Sequence, residues 1–167
     1  LRGRRVTDIS VEGGGVRVMI ARDTRPSGAM LASALAAGVA AAGGEAIVVD
    51  VLPTAGLMAN LDDGAADVGV MVTASHNPAP DNGFKVLGQG GRKLSDAASA
   101  RFEGWLQEPP EPHEPGAIHA GALQARRCYH RALAEVAPAS EALSGVTLAV
   151  DLAHGAATGT ARWLAER

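Results

Sequence analysis

Side chains that could transfer a charged group lie together in the middle of the chain. Positions 73–78 are Thr-Ala-Ser-His-Asn-Pro, and positions 81–85 are Asp-Asn-Gly-Phe-Lys. The hydroxyl of Ser75 can carry a phosphoryl group as an oxygen ester, next to the imidazole of His76. A desolvated ammonium such as that of Lys85 can titrate lower than usual and act as a base. Ser75, His76 and Lys85 are therefore the side chains of this stretch whose types could take part in chemistry.

An apolar run before these side chains indicates how they are positioned. Positions 68–72 are Val-Gly-Val-Met-Val, and such a run bounded by turn residues is typical of a buried strand in a parallel sheet. In open α/β sheets the ligand crevice lies beyond the carboxyl ends of the strands. We therefore expect Ser75 and His76 at that edge. Lys85 should return to it on an extended segment over 84–87.

The first hundred residues have the pattern of an α/β domain. Strands are predicted over 16–21, 46–51 and 67–73. The first intervening helix has Leu31, Leu35, Val39 and Ala42 on one face, with Ser27 or Thr24 as its N-cap, and a short second helix begins at Pro53–Thr54. This β-α-β-α-β order predicts a three-layer α/β/α fold with a mainly parallel sheet and right-handed crossovers.

The remainder of the chain suggests a connection to a second unit. A helix after Ser95 should have Ala98, Phe102, Trp105 and Leu106 on one face. The prolines over 108–116 exclude helix and inner strand, and a further helix is predicted over 120–136. We predict domain I over 1–107, a linker and connecting helix over 108–143, and the truncated start of a similar second domain over 144–167. That start is a strand over 146–152 and a helix over 156–166.

Composition excludes several classes of function. The 167 residues are 47% hydrophobic, which is sufficient for a core, and the formal net charge of −3 without a basic patch argues against nucleic-acid binding. No apolar run approaches the roughly 20 residues that cross a bilayer, so no membrane partner is expected. The single cysteine, Cys128, cannot form an internal disulfide and suits a reducing compartment, which predicts a cytoplasmic protein.

The motif at 73–78, with 81–85 after it, resembles the active-site serine loop of the α-D-phosphohexomutases. Three other segments resemble the same family in the same order. They are Arg-Asp-Thr-Arg-Pro-Ser-Gly at 22–28, Val-Leu-Pro-Thr at 51–54, and Val-Asp-Leu-Ala-His-Gly-Ala at 150–156. The resemblance implies a phosphosugar mutase that moves a phosphoryl group between the 6- and 1-positions of a hexose phosphate through a phosphoserine.

The resemblance also implies roles for the candidate residues. Ser75 would be the phosphoserine, and its phosphate oxygen would be a ligand of the one Mg²⁺ in the active site, with the other ligands outside this chain. Lys85 would be a general base or acid, with His76 beside the phosphate and Asn77 shaping the loop.

Two residues at the end of the first strand are expected to support this arrangement. Asp23 and Arg25 would hold Lys85 and the loop through charge-assisted hydrogen bonds. The alternative is an ordinary surface ion pair. Ser75 could likewise be a helix cap, His76 a loop histidine bonded to backbone, and Lys85 a solvated lysine at a strand edge.

Within the family, the chain is most similar to the enzymes that convert glucosamine 6-phosphate to glucosamine 1-phosphate. Mannose and glucose phosphates are the alternative substrates. A glucose or glucosamine 1,6-bisphosphate is the implied activator or intermediate, and the partner is a small phosphosugar. An unpaired strand over 146–152 would also favour association of copies into a homo-oligomer.

Parts of the family pattern are missing from these residues. The Gly-Thr-Asp-Gly turn of the family's first strand and its Asp-x-Asp-x-Asp-Arg metal loop do not occur. We therefore expect a fragment that is inactive by itself, and a non-catalytic remnant is the rival interpretation. A dinucleotide binder is disfavoured because no Gly-x-Gly-x-x-Gly follows the first strand. A serine esterase is disfavoured because Thr73 and Asn77, not glycines, flank Ser75.

Overall fold

The computed structural model of the protein describes residues 15–105, 107 and 113–166. Its regular elements in chain order are β1 Arg17–Arg22, α1 Gly28–Ala41, β2 Glu45–Val51, α2 Thr54–Asp62, β3 Val68–Val72, β4 Phe84–Leu87, α3 Asp96–Trp105, β5 Ile118–Ala120, α4 Ala122–Val136 and α5 Thr158–Ala165. None of these helices is long and apolar enough to cross a bilayer.

The strands form one five-stranded sheet in the order β4-β3-β1-β2-β5. The pairs β1–β2, β1–β3 and β2–β5 are parallel, and only β4 runs antiparallel, against β3. Parallel neighbours need crossover connections, and here α1 and α2 provide them. The prediction of an α/β fold with a mainly parallel sheet is confirmed.

Helices cover both faces of the sheet, which makes three layers. On one face, Ile20 and Val72 from the strands pack with Ala32 and Ala36 of α1. On the other face lie α2 and α4, whose buried members pack on strand residues such as Met71. Because successive strand residues point to opposite faces, β1 and β3 contribute to both clusters and are buried on both sides.

The strand that leads to the candidate site lies directly beneath α2. A Cβ atom added at Gly69 would come within 2.6 Å of Leu61 Cδ1 and 3.2 Å of the Leu57 methyl groups. The absence of a side chain at this position of β3 lets α2 approach closely. Leu57 and Leu61 are fully buried as a result, so β3 is fixed between two helical layers just before residues 73–83.

The sequence analysis did not predict strand β5. Ile118–Ala120 is only three residues long, and all three are exposed. It adds to the edge of β2, and α4 then packs on α2 through Ala125 and Tyr129. These elements lie within the segment predicted as linker and connecting helix. The division of the chain into domains at 1–107, 108–143 and 144–167 stays a prediction.

The predicted strand over 146–152 is not formed. Val146, Leu148 and Val150 are 55%, 67% and 67% exposed, and this stretch pairs with no strand in the part of the chain that the structure describes. An alternating apolar pattern cannot make a strand by itself, because backbone groups and apolar side chains then stay in water. The helix predicted after it is present as α5.

The prediction that Ser27 or Thr24 caps α1 through its side-chain oxygen was wrong. Ser27 is the N-cap residue of α1, but no side chain caps this helix. The Ser27 hydroxyl accepts a hydrogen bond from Asn82, and the Thr24 hydroxyl donates to the carbonyl oxygen of His154. Helix α3 buries none of its residues, and Phe102 and Trp105 on its predicted apolar face are 38% and 47% exposed. Leu106 lies outside the described residues.

Candidate active site

The candidate site begins where two neighbouring parallel strands end. Arg22 of β1 pairs with Val72 of β3, so the residues that follow them emerge side by side at the carboxyl edge of the sheet. The amide of Asp23 donates to the carbonyl oxygen of Val72 over 3.1 Å. The sheet register therefore places Asp23 next to Thr73, at the first residue of the segment 73–83, which is called the serine loop below.

Thr73 connects this edge to the serine. Its side chain is buried, and its hydroxyl donates to Asp23 Oδ2 over 2.6 Å. The hydroxyl oxygen of Thr73 in turn accepts the backbone N–H of Ser75 over 3.0 Å. Ser75 has a φ of 57°, in the left-handed region that non-glycine residues seldom adopt. The backbone of the serine is thus turned sharply at the strand end and held there by a buried side chain.

Asp23 is also bound by Arg25. The Arg25 Nε donates to Asp23 Oδ2 over 3.0 Å, and the Arg25 backbone amide donates to Asp23 Oδ1 over 3.1 Å. The two side chains are only 9% and 15% exposed. An ion pair with so little access to water is screened weakly, and its geometry is fixed by charge-assisted bonds. This arrangement differs from an ordinary surface ion pair.

The other end of the Arg25 guanidinium binds the backbone of the serine loop. One terminal nitrogen donates to the carbonyl oxygens of Pro78 and Asp81, and the other donates to those of Ser75 and Asn77. A planar guanidinium with five donors is suited to this task, and a lysine is not. The loop is therefore ordered around a single cation.

The far end of the serine loop is fixed by neutral hydrogen bonds. The side-chain amide of Asn82 donates to the Ser27 hydroxyl over 2.9 Å, and its oxygen accepts the amide of Gly83. The Thr73 amide donates to the carbonyl oxygen of Gly83 over 2.9 Å. Both ends of the loop are consequently joined to each other and to the start of α1.

The predicted reactive side chains of the loop face solvent. Ser75, His76 and Asn77 are all exposed at the sheet edge. His76 makes no hydrogen bond or ion pair within the described residues. Asn77 contributes its backbone, since its amide donates to Ala74 and its carbonyl accepts from Arg25. A ligand at the sheet edge could reach the serine hydroxyl and the imidazole without displacing a protein contact.

Lys85 lies on the neighbouring edge strand. It pairs with Met71 in the antiparallel register of β3 and β4, one residue inward from the pair formed by Phe84 and Val72. Its side chain is exposed, and neither Asp23 nor Arg25 bonds it. The expected contact of these two residues with the loop is present, whereas their expected contact with Lys85 is not.

Sequence reasoning assigned no role in the candidate site to three polar residues at this edge. Thr73 and Asn82 organise the loop as described above, and the Thr24 hydroxyl donates to the carbonyl oxygen of His154 over 2.8 Å. The signal for Thr73 was present in the sequence, because a hydroxyl residue directly after a fully apolar strand must find a buried partner. The Thr24 contact spans 130 residues and had no local signal.

The described residues do not form a metal site of their own. They contain no group of three or more His, Cys, Asp or Glu side chains close enough to hold an ion. The carboxylate of Asp23, which Thr73 links to Ser75, already accepts bonds from Thr73 and Arg25. A hard divalent cation with several oxygen ligands would need ligands other than these.

Two side chains of α4, away from the serine loop, have a raised pKa. Burial raises the pKa of the Cys128 thiol, and the nearby carboxylate of Asp63 raises it further. Burial also raises the pKa of Tyr129. Cys128 is therefore a neutral thiol at physiological pH, and its surroundings do not favour a nucleophilic thiolate.

Comparison with known sequences agrees with the motifs. A family model described as phosphoglucomutase/phosphomannomutase, alpha/beta/alpha domain I, matches residues 6–110. A phosphoglucosamine mutase of Corynebacterium efficiens is 44% identical over 84% of this chain and 32% of its own length. One from Renibacterium salmoninarum is 43% identical over 91% of this chain and 34% of its own. The chain thus spans about a third of these relatives.

Comparison with solved structures gives the same result for the fold. A protein from Thermus thermophilus superposes with a TM-score of 0.67 at 29% identity, over 80% of this chain and 30% of that one. A phosphoglucomutase/phosphomannomutase family protein from Burkholderia thailandensis gives a TM-score of 0.57 at 30% identity, over 76% of this chain and 29% of that one.

Proposed function

Since the chain belongs to the phosphoglucomutase/phosphomannomutase family, we propose that it forms the serine-bearing part of a phosphosugar mutase. The enzyme moves a phosphoryl group between the 6- and 1-positions of a hexose phosphate, with Ser75 as the phosphoserine. One observation carries the proposal. Ser75 is accessible at the carboxyl edge of the sheet, on a loop whose backbone is held by the largely buried Arg25.

The proposed reaction exchanges one oxygen ester for another. A hydroxyl of the sugar phosphate attacks the phosphorus of phosphoserine 75, the bond from phosphorus to the serine oxygen breaks, and the serine oxygen takes a proton. The attacking hydroxyl gives its own proton to a base. The reverse transfer then returns the other phosphoryl group of the bisphosphate to Ser75. Because both esters are similar in energy, positioning and charge neutralisation supply most of the catalysis.

Lys85 and His76 are the proposed groups for proton transfer and phosphate contact. Lys85 is on β4 next to the strand that leads to the loop, and His76 directly follows Ser75. Both are exposed and free of competing protein partners within the described residues. Asn77, Asp23 and Arg25 act by holding the loop.

We further propose that the enzyme uses Mg²⁺, with a phosphate oxygen on Ser75 as one ligand. The described residues do not fit a complete magnesium site, because they offer no cluster of carboxylates. The remaining ligands would have to come from other parts of the protein. The described chain by itself should bind Mg²⁺ weakly and should not turn over substrate.

Glucosamine 6-phosphate is the proposed substrate, with a glucosamine or glucose 1,6-bisphosphate as activator. The support is the identity of 41–44% to relatives that are called phosphoglucosamine mutases. Phosphomannomutase or phosphoglucomutase activity is the alternative within the family. A lone cysteine and a phosphosugar substrate fit a cytoplasmic enzyme, and we include that location in the proposal.

A kinetic comparison of three sugars tests this function. The complete protein is assayed with the 6-phosphates of glucosamine, mannose and glucose, in the presence of Mg²⁺ and a hexose 1,6-bisphosphate. We expect the highest kcat/KM with glucosamine 6-phosphate and no turnover by Ser75→Ala. Ser95→Ala is the matched control, since Ser95 caps α3 away from the loop, and it should keep full activity. Undiminished activity of Ser75→Ala would refute the proposal.

A further inference from the structure

We propose that Thr73 is a positioning residue for phosphoryl transfer. Its buried hydroxyl joins the carboxylate of Asp23 to the backbone amide of Ser75 and so keeps the serine in its left-handed conformation. The inference rests on the proposed function of Ser75. It adds a residue whose side chain does not touch the substrate and yet sets the rate of the reaction.

The directions of the two hydrogen bonds are fixed by chemistry. An ionised carboxylate only accepts, so the Thr73 hydroxyl must give its single proton to Asp23. The separation of 2.6 Å lies in the range of O–H···O⁻ bonds. A lone pair of the same oxygen is then directed to the N–H of Ser75, 3.0 Å away. A methyl group at this place could do neither.

Both backbone polar groups of Ser75 are therefore anchored on one carboxylate. The amide reaches Asp23 through Thr73, and the carbonyl oxygen reaches it through the guanidinium of Arg25. Asp23 Oδ2 accepts from both intermediaries. With the peptide groups on each side of the serine fixed, the direction of its Cα–Cβ bond is fixed as well.

The left-handed conformation explains why this anchoring is needed. A non-glycine residue at a φ of 57° is strained and persists only where its surroundings determine it. Without the bond from its amide, Ser75 can relax to an ordinary conformation and move its hydroxyl by more than the small misalignment that phosphoryl transfer tolerates. Thr73 is only 7% exposed, so its part is positioning and not contact with substrate.

The test compares Thr73→Val with Thr73→Ser in the complete protein. Valine has nearly the same volume and lacks the hydroxyl, and serine keeps the hydroxyl. For the mutase reaction we expect Thr73→Val to lower kcat by about 10- to 100-fold with KM changed by less than about threefold. Thr73→Ser should stay within about threefold of the natural protein. If Thr73 served only folding, the folded Thr73→Val protein would keep the kcat of the natural protein, and serine would have no loss to restore.

A second measurement works on the natural protein and does not depend on how the variants fold. The Ser75 amide is bonded to Thr73, whereas the His76 amide has no such partner in the described chain. Amide hydrogen exchange, resolved by residue, should be at least about tenfold slower at Ser75 than at His76. Equal exchange at the two amides would overturn the inference.

The outcomes separate this inference from the proposed function. If Thr73→Val folds and reacts as fast as the natural protein while Ser75→Ala is inactive, the positioning role of Thr73 is wrong and the phosphoserine stands. If Ser75→Ala is active, the proposed function itself is wrong. A fall in kcat for Thr73→Val that Thr73→Ser restores, with Ser75→Ala inactive, supports both.

Discussion

Two irregular segments of this chain both contain left-handed residues other than glycine, but different contacts support them. The serine loop contains left-handed Ser75, and the segment 146–157 contains left-handed Ala153 and His154. The loop is bound from outside by Arg25, and the hydroxyl of Thr73, its first residue, holds the amide of Ser75. The second segment is bonded to the sheet edge, among the described residues, through the hydrogen bond from the Thr24 hydroxyl to the carbonyl oxygen of His154.

The difference shows what orders a segment that has no regular structure. In the serine loop, a nearly buried ion pair supplies donors to four carbonyl oxygens, so the backbone is satisfied without a strand or a helix. In the second segment the apolar side chains of Val146, Leu148 and Val150 remain exposed. A loop whose backbone is held by hydrogen bonds can present a reactive group accurately. A segment whose apolar side chains are exposed is available for further contacts.

The largest effect should come from removing the cation of the serine loop. Arg25→Ala leaves Asp23 without its ionic partner and four carbonyl oxygens without donors, and we expect it to lower the free energy of unfolding by about 3 kcal/mol. The measurement is chemical denaturation, with amide exchange over 73–83 as the local probe. Amide exchange should accelerate much more over 73–83 than over β1.

Arg162→Ala is the control on α5, the helix that follows the segment 146–157. Arg162 pairs with Glu166 one helical turn away, with the two side chains 84% and 63% exposed, so its loss should cost less than about 0.5 kcal/mol. Equal losses for the two arginine variants would contradict the contrast between the regions.

The next effect concerns the contact that holds α5. Trp163 stacks on His130 of α4 with ring centroids 4.0 Å apart and planes 14° apart. We expect Trp163→Ala to remove about 1 kcal/mol of local stability and to speed amide exchange over 158–165. Exchange over the serine loop should not change. Equal acceleration of exchange over 158–165 and over the serine loop would show that the two are strongly coupled, which the single hydrogen bond from Thr24 does not predict.

A comparison of glycine with alanine measures how firmly each left-handed residue is held. At a positive φ, glycine avoids the clash of Cβ, so Ser75→Gly should be more stable than Ser75→Ala by about 1 kcal/mol. The same pair at His154 should differ by less, because a loosely tied backbone can relax away from the strain. Thermal unfolding of the four variants provides the measurement, and a larger difference at His154 would reverse the comparison.

The smallest effect is a change in the reactivity of Cys128 on α4, the helix that contacts both α2 and Trp163. Since burial and then Asp63 raise the pKa of this thiol, it holds its proton to higher pH when folded than when unfolded. Its contribution to stability is present below the unfolded pKa and is lost as pH rises through the folded one. Alkylation should therefore accelerate only at alkaline pH.

Asp63→Asn is the matched variant for this thiol. Removing the carboxylate should speed alkylation about threefold at a fixed pH near 8, as followed by mass spectrometry. An unchanged or slower rate would mean that Asp63 does not raise the pKa.

Much of the sheet could be predicted from the sequence because its signals are local. The apolar runs that became β1, β2 and β3 are bounded by turn residues, and the elements between them begin and end near the predicted positions. The candidate residues Asp23 and Ser75 were predicted where a strand ends in polar residues, and in the structure Thr73 joins them at the sheet edge. The direction of the chain at a strand end determines which residues reach the sheet edge.

The errors arose where structure depends on distant partners. β5 consists of three exposed residues, and it is extended because it pairs with the edge of β2. The stretch 146–152 has a strand pattern without a partner strand among the described residues. Thr24 and Ser27 look like helix caps, but each finds a partner across the fold instead. No window of sequence contains this information.

The most direct test of the account locates the phosphoryl group. The complete protein is incubated with a hexose 1,6-bisphosphate and Mg²⁺, digested, and analysed by tandem mass spectrometry. We predict one added phosphoryl group per chain, placed on Ser75 and absent from Ser75→Ala. A protein that remains unmodified, or one that carries the group on another residue and keeps it in Ser75→Ala, would contradict the account.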